Sequence, residues 1–339
     1  MSTLFFHFDG TGNSPQDAFT PPDQLSSITN VLKSHLLLGG QLKHHQGLSP
    51  RHLDHKTFYY PGIGTYGSWL EQTFNAAFAV EAGHIAQILN RAMQDFQQHY
   101  DHTIKHIVLI GFSRGAALAR RFAALITPLL DRPIILEAII DTVASIGWPN
   151  LDSSQRPHTD VVFEHGHTLP EAVHKALHLV ALDEQRLAFR PTLLNHDGRV
   201  LELWFAGVHS DVGGGYSKDG IGDIALQTLI DWIESHTNQI NYQTVHSVKT
   251  HTPTSNNTRW SALLAIEPKH LGKIHYQNRT LTTWRNLTLA PRHCCVLEQG
   301  QPSQTLTPLW HPSVAQRIQS HLDYQPIAYS HIPPKTHPL

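Results

Sequence analysis

Ile107-Val108-Leu109-Ile110-Gly111-Phe112-Ser113-Arg114-Gly115-Ala116-Ala117-Leu118-Ala119-Arg120-Arg121-Phe122-Ala123-Ala124 is the stretch that decides the fold. Its first four residues form the apolar, largely β-branched run of a buried strand, and its last nine an Ala-rich helix. Gly-Phe-Ser-Arg-Gly joins the two with no room for a loop. A serine in so sharp a turn is pushed into strained backbone geometry that exposes its hydroxyl, and glycines two residues to either side let strand and helix pack closely. The five-residue pattern alone recurs by chance; its strand-turn-helix context marks Ser113 as a candidate nucleophile.

Outward from this turn, apolar β-rich runs alternate with helical ones, which predicts a mostly parallel central sheet flanked by crossover helices, an α/β fold. Leu4 to Phe8 reads as a strand, Ser26 to Leu38 as a helix closed by Gly39-Gly40, and Thr57 to Tyr60 as a strand ended by Pro61-Gly62. Leu70 to Tyr100 reads as helical with a break near Gly83. Ile134 to Ile140, ending at Asp141, is a second central strand, Leu169 to about Leu182 a helix, and Leu201 to Val208 a strand stopping at His209. An amphipathic helix follows Asp223 and runs to about Ser235. The expected organisation is a single domain over 1–330 with a polar insertion near 236–259, and a tail at 331–339.

Composition removes whole classes of function. With 25 Lys plus Arg against 27 Asp plus Glu there is no broad basic face, so nucleic acid is not an expected partner. Cys294 and Cys295 are adjacent, so they staple nothing distant and offer no metal-ligand spacing. The N-terminus carries no basic region followed by a long apolar stretch, and no apolar run reaches the roughly 18 residues of a membrane span. The expectation is a chain made in the cytoplasm and, if exported, exported without a cleaved signal peptide. The 27 histidines make it more positive on mild acidification. That leaves two readings open: peripheral contact with an anionic membrane, and a compositional habit without function.

A serine hydroxyl attacks well only when a histidine takes its proton, and that histidine needs a carboxylate to fix its tautomer. In chain order the acid and then the histidine follow the nucleophile. Two assignments satisfy this: Asp141 with His209, each at a strand end, and Asp211 with His293 or His311. The oxyanion of the attacked carbonyl needs backbone donors. Arg114, after the nucleophile, supplies one, and the loop Phe8-Asp9-Gly10-Thr11-Gly12-Asn13 offers Gly10 and Thr11, with Asp9 in support. The mechanism calls for no cofactor and no metal.

Weaker patterns point elsewhere. Gly62, Gly64 and Gly67 follow a strand at dinucleotide-fingerprint spacing, but Glu81 sits on no clear strand and Pro61 opens the turn. His174 and His178 are one turn apart on the expected helix, with His165 and His167 nearby, yet no carboxylate stands between the pair as in a zinc protease, so they read as surface histidines. A hydrolase fold kept as a binding or scaffold module without turnover is the remaining alternative.

Four segments together, Phe8 to Asn13, Gly111 to Ala116, Asp141 to Gly147 and Trp204 to Tyr216, resemble the catalytic domain of type VI secretion phospholipase effectors, a branch of the α/β-hydrolases. Thr29-Asn30-Val31, Tyr60 to Thr65 and His311 to Val314 are shorter echoes, and the similarity runs from residue 4 to about 317. The resemblance implies Ser113 as nucleophile, Asp141 as acid and His209 as base, with the Asp-Gly-Thr-Gly loop beside them. It further implies hydrolysis of glycerophospholipid acyl esters, toxicity toward rival cells, an immunity protein and a secretion-apparatus partner. Larger members carry membrane-anchoring segments for which 339 residues leave little room.

Overall fold

A computed structural model describes residues 3–13, 28–40, 46–47, 55–63, 78–144, 168–216, 220–237, 240, 242, 264–276 and 288–338. The apolar strand runs pair as one nine-stranded sheet. In chain order its strands are β1 (Thr3–Phe8), β2 (Gln46–Gly47), β3 (His55–Tyr60), β4 (His106–Phe112), β5 (Ile135–Ile140), β6 (Val173–Ala181), β7 (Val200–Phe205), β10 (Leu309–Trp310) and β11 (Lys335–Thr336). A separate hairpin joins β8 (Leu297–Glu298) to β9 (Gln301–Pro302). Across the sheet the order is β11-β10-β7-β6-β5-β4-β1-β3-β2, and every neighbouring pair is parallel except β2 with β3.

Alternation along the strands splits the core in two, because successive side chains point to opposite faces. Phe5, Val108, Ile110, Leu136 and Leu203 pack toward α1 (Asn30–Leu37) and α5 (Ile221–His236). Leu4, Phe6, Phe8, Ile107, Leu109 and Ile135 pack toward α2 (Phe78–His99) and α3 (Arg114–Ile126). With helices on both faces, the central strands are apolar nearly throughout, as parallel sheets require. The short helix α4 (His209–Gly213) follows β7, and α6 (Pro312–Ser320) covers a third cluster containing Trp204, Cys294, Val314 and Tyr324. This is the α/β-hydrolase architecture.

Three expectations change. The segment read as a helix from Leu169 to Leu182 is the central strand β6. Buried on both faces, its Ala176 to Leu182 run has lost the period-two alternation and cannot be told from a buried helix by pattern. His178 is consequently no surface residue: its Nδ1–H donates to Glu202 at 2.9 Å, and its Nε2 accepts the Thr142 N–H at 3.2 Å. Second, α2 runs through Gly83 without a break; the glycine costs about 1 kcal/mol relative to alanine, which burial of Ile85, Ala92 and Phe96 offsets. Third, the residues expected as a tail contribute β11, where His337 N–H also donates to the Trp310 carbonyl at 2.8 Å. From 243 to 259 the expected insertion lies outside the described residues, as do Gly64, Gly67, His165, His167 and 70–77.

Candidate active site

Ser113 occupies φ 58°, ψ −123°, a region that costs a non-glycine residue on the order of 1–3 kcal/mol and persists only where the surroundings impose it. Those surroundings are tight. A methyl at Gly111 would stand 2.5 Å from Ala116 Cα, and one at Gly115 would stand 2.1 Å from the Phe8 carbonyl oxygen, so the turn closes only with hydrogen at both positions. Gly115 thereby seats the Asp9–Asn13 loop against the start of α3.

Asp141, at the end of β5, also sits at positive φ (41°) and is fully buried. Its Oδ2 accepts from His209 Nδ1 at 2.5 Å, and its Oδ1 accepts from the Ala181 N–H at 3.1 Å. The buried Arg292 grips both oxygens, Nη1 to Oδ1 at 2.7 Å and Nη2 to Oδ2 at 2.9 Å, and also donates to the carbonyls of Ala181 and Phe189. Burial alone would raise the Asp141 carboxyl, but the Arg292 charge and the His209 hydrogen bond hold it well below the usual carboxylate range.

Because a carboxylate only accepts, Nδ1 of His209 carries the proton and Nε2 is left with the lone pair. The imidazole is wedged between the Phe112 ring at 4.5 Å and the Phe189 ring at 4.9 Å, which ties it to the residue preceding Ser113. Burial lowers its pKa, opposed by Asp141, so the ring is neutral and able to accept a proton at pH 7. The backbone N–H of His209 donates to Glu184 Oε2 at 3.3 Å. Among the described residues the Ser113 hydroxyl makes no hydrogen bond.

The second assignment is not assembled. Asp211, fully buried, accepts from His275 Nδ1 at 2.6 Å and from the N–H groups of His275 and Val208. His293 stacks on Tyr329, while His311 stacks on Phe205 and caps α6 by accepting the Ser313 N–H. Asp9 holds its loop, accepting from Tyr59 at 2.6 Å, Thr29 at 2.7 Å and the Gly10 N–H at 2.7 Å. Gly10 is therefore engaged and Thr11 remains. Thr11 makes no hydrogen bond among the described residues, and its Oγ1 is buried. Arg114 opens α3, so its N–H lies at the positive end of the helix dipole.

Gly62, first of the dinucleotide-spaced glycines, packs its Cα against the Gly10 carbonyl, where a methyl would stand 1.7 Å away. Among the described residues no three His, Cys, Asp or Glu side chains converge on a metal position, and no helix is long and apolar enough to cross a membrane. Sequence reasoning missed Arg292, Glu184 and His275. Each lies in a segment without periodicity, and Arg292 is 151 residues from the carboxylate it grips, so nothing local singles it out.

The family model for the catalytic domain of Tle1-like type VI secretion phospholipase effectors matches residues 3–129 and 130–232. No curated protein matches the chain. Among solved structures, an uncharacterized protein from Pseudomonas aeruginosa aligns at 18% identity and TM-score 0.45, over 78% of this chain and 49% of that one. The Tle1 effector bound to the VgrG spike of the type 6 secretion system aligns at 24% identity and TM-score 0.34, over 65% and 52%. Mouse alpha/beta hydrolase domain-containing protein 10 aligns at 12% identity and TM-score 0.38, over 69% and 90%. The chain thus spans about half the length of the first two.

Proposed function

The chain belongs to the Tle1-like catalytic-domain family of type VI secretion phospholipase effectors, and from that membership we propose that it is a serine hydrolase cleaving acyl esters of glycerophospholipids through Ser113, His209 and Asp141. The observation that carries this reading is the 2.5 Å contact between Asp141 and His209 Nδ1, which leaves the Nε2 lone pair unprotonated on a ring packed against Phe112, the residue before a serine held in strained geometry.

The chemistry follows from those positions. Ser113 Oγ attacks the ester carbonyl while Nε2 of His209 takes its proton; serine–histidine contacts of this kind tighten as substrate binds. Asp141, kept ionised by Arg292, stabilises the imidazolium that results. Charge on the carbonyl oxygen is met by the Arg114 N–H and by the Thr11 N–H, donors fixed before the reaction begins. The imidazolium then protonates the leaving alcohol, the acyl group remains on Ser113, and water activated by His209 releases the fatty acid. Ile63, Ile85, Ala117, Leu118, Val143 and Ala144 surround a small apolar cavity next to Arg114, of about 10 Å³.

Export through the secretion apparatus, an immunity partner, action on a rival's membrane and peripheral membrane contact belong to this same reading and rest on the family. Ser113→Ala tests it: turnover of a short-chain phospholipid should fall on the order of 10⁶-fold, and labelling by a fluorophosphonate should disappear. Parent-level turnover in the variant, or a parent that resists the fluorophosphonate, refutes the proposal and leaves a scaffold on a hydrolase fold.

A further inference from the structure

Beside His209 stands an arginine that the proposed hydrolysis does not use. After β6 the chain turns through Asp183-Glu184-Gln185-Arg186, and the Glu184 carboxylate is fully buried. It accepts from the N–H groups of Gln185, Arg186 and His209, and from Nε and Nη2 of Arg186 at 2.9 and 2.8 Å. The Arg186 Cζ lies over the Phe189 ring, 3.6 Å from its centroid, and the same ring meets the His209 imidazole edge-on. Arg186 is thus immobilised one ring away from the base, with its backbone bridged to Leu289.

A counter-ion for Glu184 alone need not be built this way. The side chain keeps 20% of its surface open, and Nη1 makes no hydrogen bond among the described residues. A planar cation held at one edge and one face, with the other edge presented to solvent, is prepared for an oxyanion, because little side-chain entropy remains to be lost. Arg186 follows β6 as Ser113 follows β4 and His209 follows β7, so all three stand at the carboxyl ends of parallel strands.

We propose that Arg186 is a specificity-determining residue that binds the phosphodiester of the substrate lipid, using Nη1 and the outer edge of Nη2, while Glu184 and Phe189 hold the guanidinium in place. This rests on the hydrolase reading above. In a glycerophospholipid the phosphodiester lies a few covalent bonds from the scissile ester, so a donor one ring from the base is within span of it. Neutral esters offer that edge only uncharged oxygen acceptors, and the site therefore favours phospholipid over acylglycerol.

The test uses a matched pair of soluble substrates, dihexanoylphosphatidylcholine and dihexanoylglycerol, which share their esters and differ in the phosphodiester. In Arg186→Gln the ratio of kcat/KM for the phospholipid to that for the acylglycerol should fall on the order of 10- to 100-fold, the worth of a charge-assisted hydrogen bond. Arg186→Lys retains the charge opposite Glu184, so it folds even where the glutamine variant does not, and should show a smaller fall in the same ratio. Glycerophosphocholine should inhibit acylglycerol hydrolysis by the parent and not by Arg186→Gln. A parent active on both substrates whose ratio is unmoved in both variants overturns this inference alone. A parent inert on both and unlabelled by fluorophosphonate overturns the hydrolase reading, and this inference with it.

Discussion

Replacing Arg292 with methionine removes a cation whose side chain is 2% exposed from a carboxylate that is fully buried. Methionine approximates the volume of the aliphatic stem but none of the donors, so Asp141 loses two hydrogen bonds and the carbonyls of Ala181 and Phe189 lose one each. Breaking a buried ion pair from one side costs about 3–5 kcal/mol, because the surviving charge is left uncompensated. For a chain of this size that corresponds to a melting temperature lower by on the order of 10 °C. Attribution comes from a double-mutant cycle. In an Asp141→Asn background the uncompensated charge is gone, so the same methionine substitution should cost about 2 kcal/mol less. The activity profile carries a second sign. With the guanidinium absent, the full carboxylate charge faces His209, the imidazole becomes more basic, and the acid limb of kcat/KM moves to higher pH. Equal cost in both backgrounds, or an acid limb that stays put or moves down, refutes the assigned role of Arg292.

Asp141→Asn should reduce turnover on the order of 10⁴-fold, as loss of the tautomer-fixing acid does in serine triads, whereas Asp211→Asn should cost about 1–3 kcal/mol of stability and less than tenfold in rate. Turnover assays on variants of verified fold distinguish the two, and comparable rate losses would revive the second assignment. Gly115→Ala must displace the Phe8 backbone, and urea titration should show a loss of about 1–3 kcal/mol or more with a matching fall in activity; a neutral variant would contradict the close approach. Stability should also decline on acidification. Burial holds His7 and His209 below the ordinary histidine range and pushes His311 down to about 4, so below pH ~6.5 the unfolded chain binds protons that the folded chain refuses. Glu137, raised to about 7 by burial and drawn down by Arg120, acts in the opposite sense, so Glu137→Gln should steepen the decline. A denaturation midpoint constant from pH 7 to 4.5 would refute the assignment of these groups.

What could be read from the chain and what could not divide by range. Gly111, Ser113 and Gly115 interact with their own strand and helix, so the elbow is written in consecutive residues. The pairing of Asp141 with His209 is legible because parallel strands bring their carboxyl ends to one rim, which turns strand order into proximity. Arg292 grips Asp141, and His275 occupies Asp211, through contacts between distant segments that carry no periodic signal. Likewise β6 escaped recognition because its place in the middle of the sheet removed the alternation that would have revealed it.

The grip of residue 292 on residue 141 also bears on timing. A chain still emerging from the ribosome completes the elbow, Asp141 and His209 well before the guanidinium that grips Asp141 has been synthesised. Until then Asp141 has no counter-ion and the reactive geometry has no clamp. The clamp on that carboxylate is thereby deferred until residue 292 has been made.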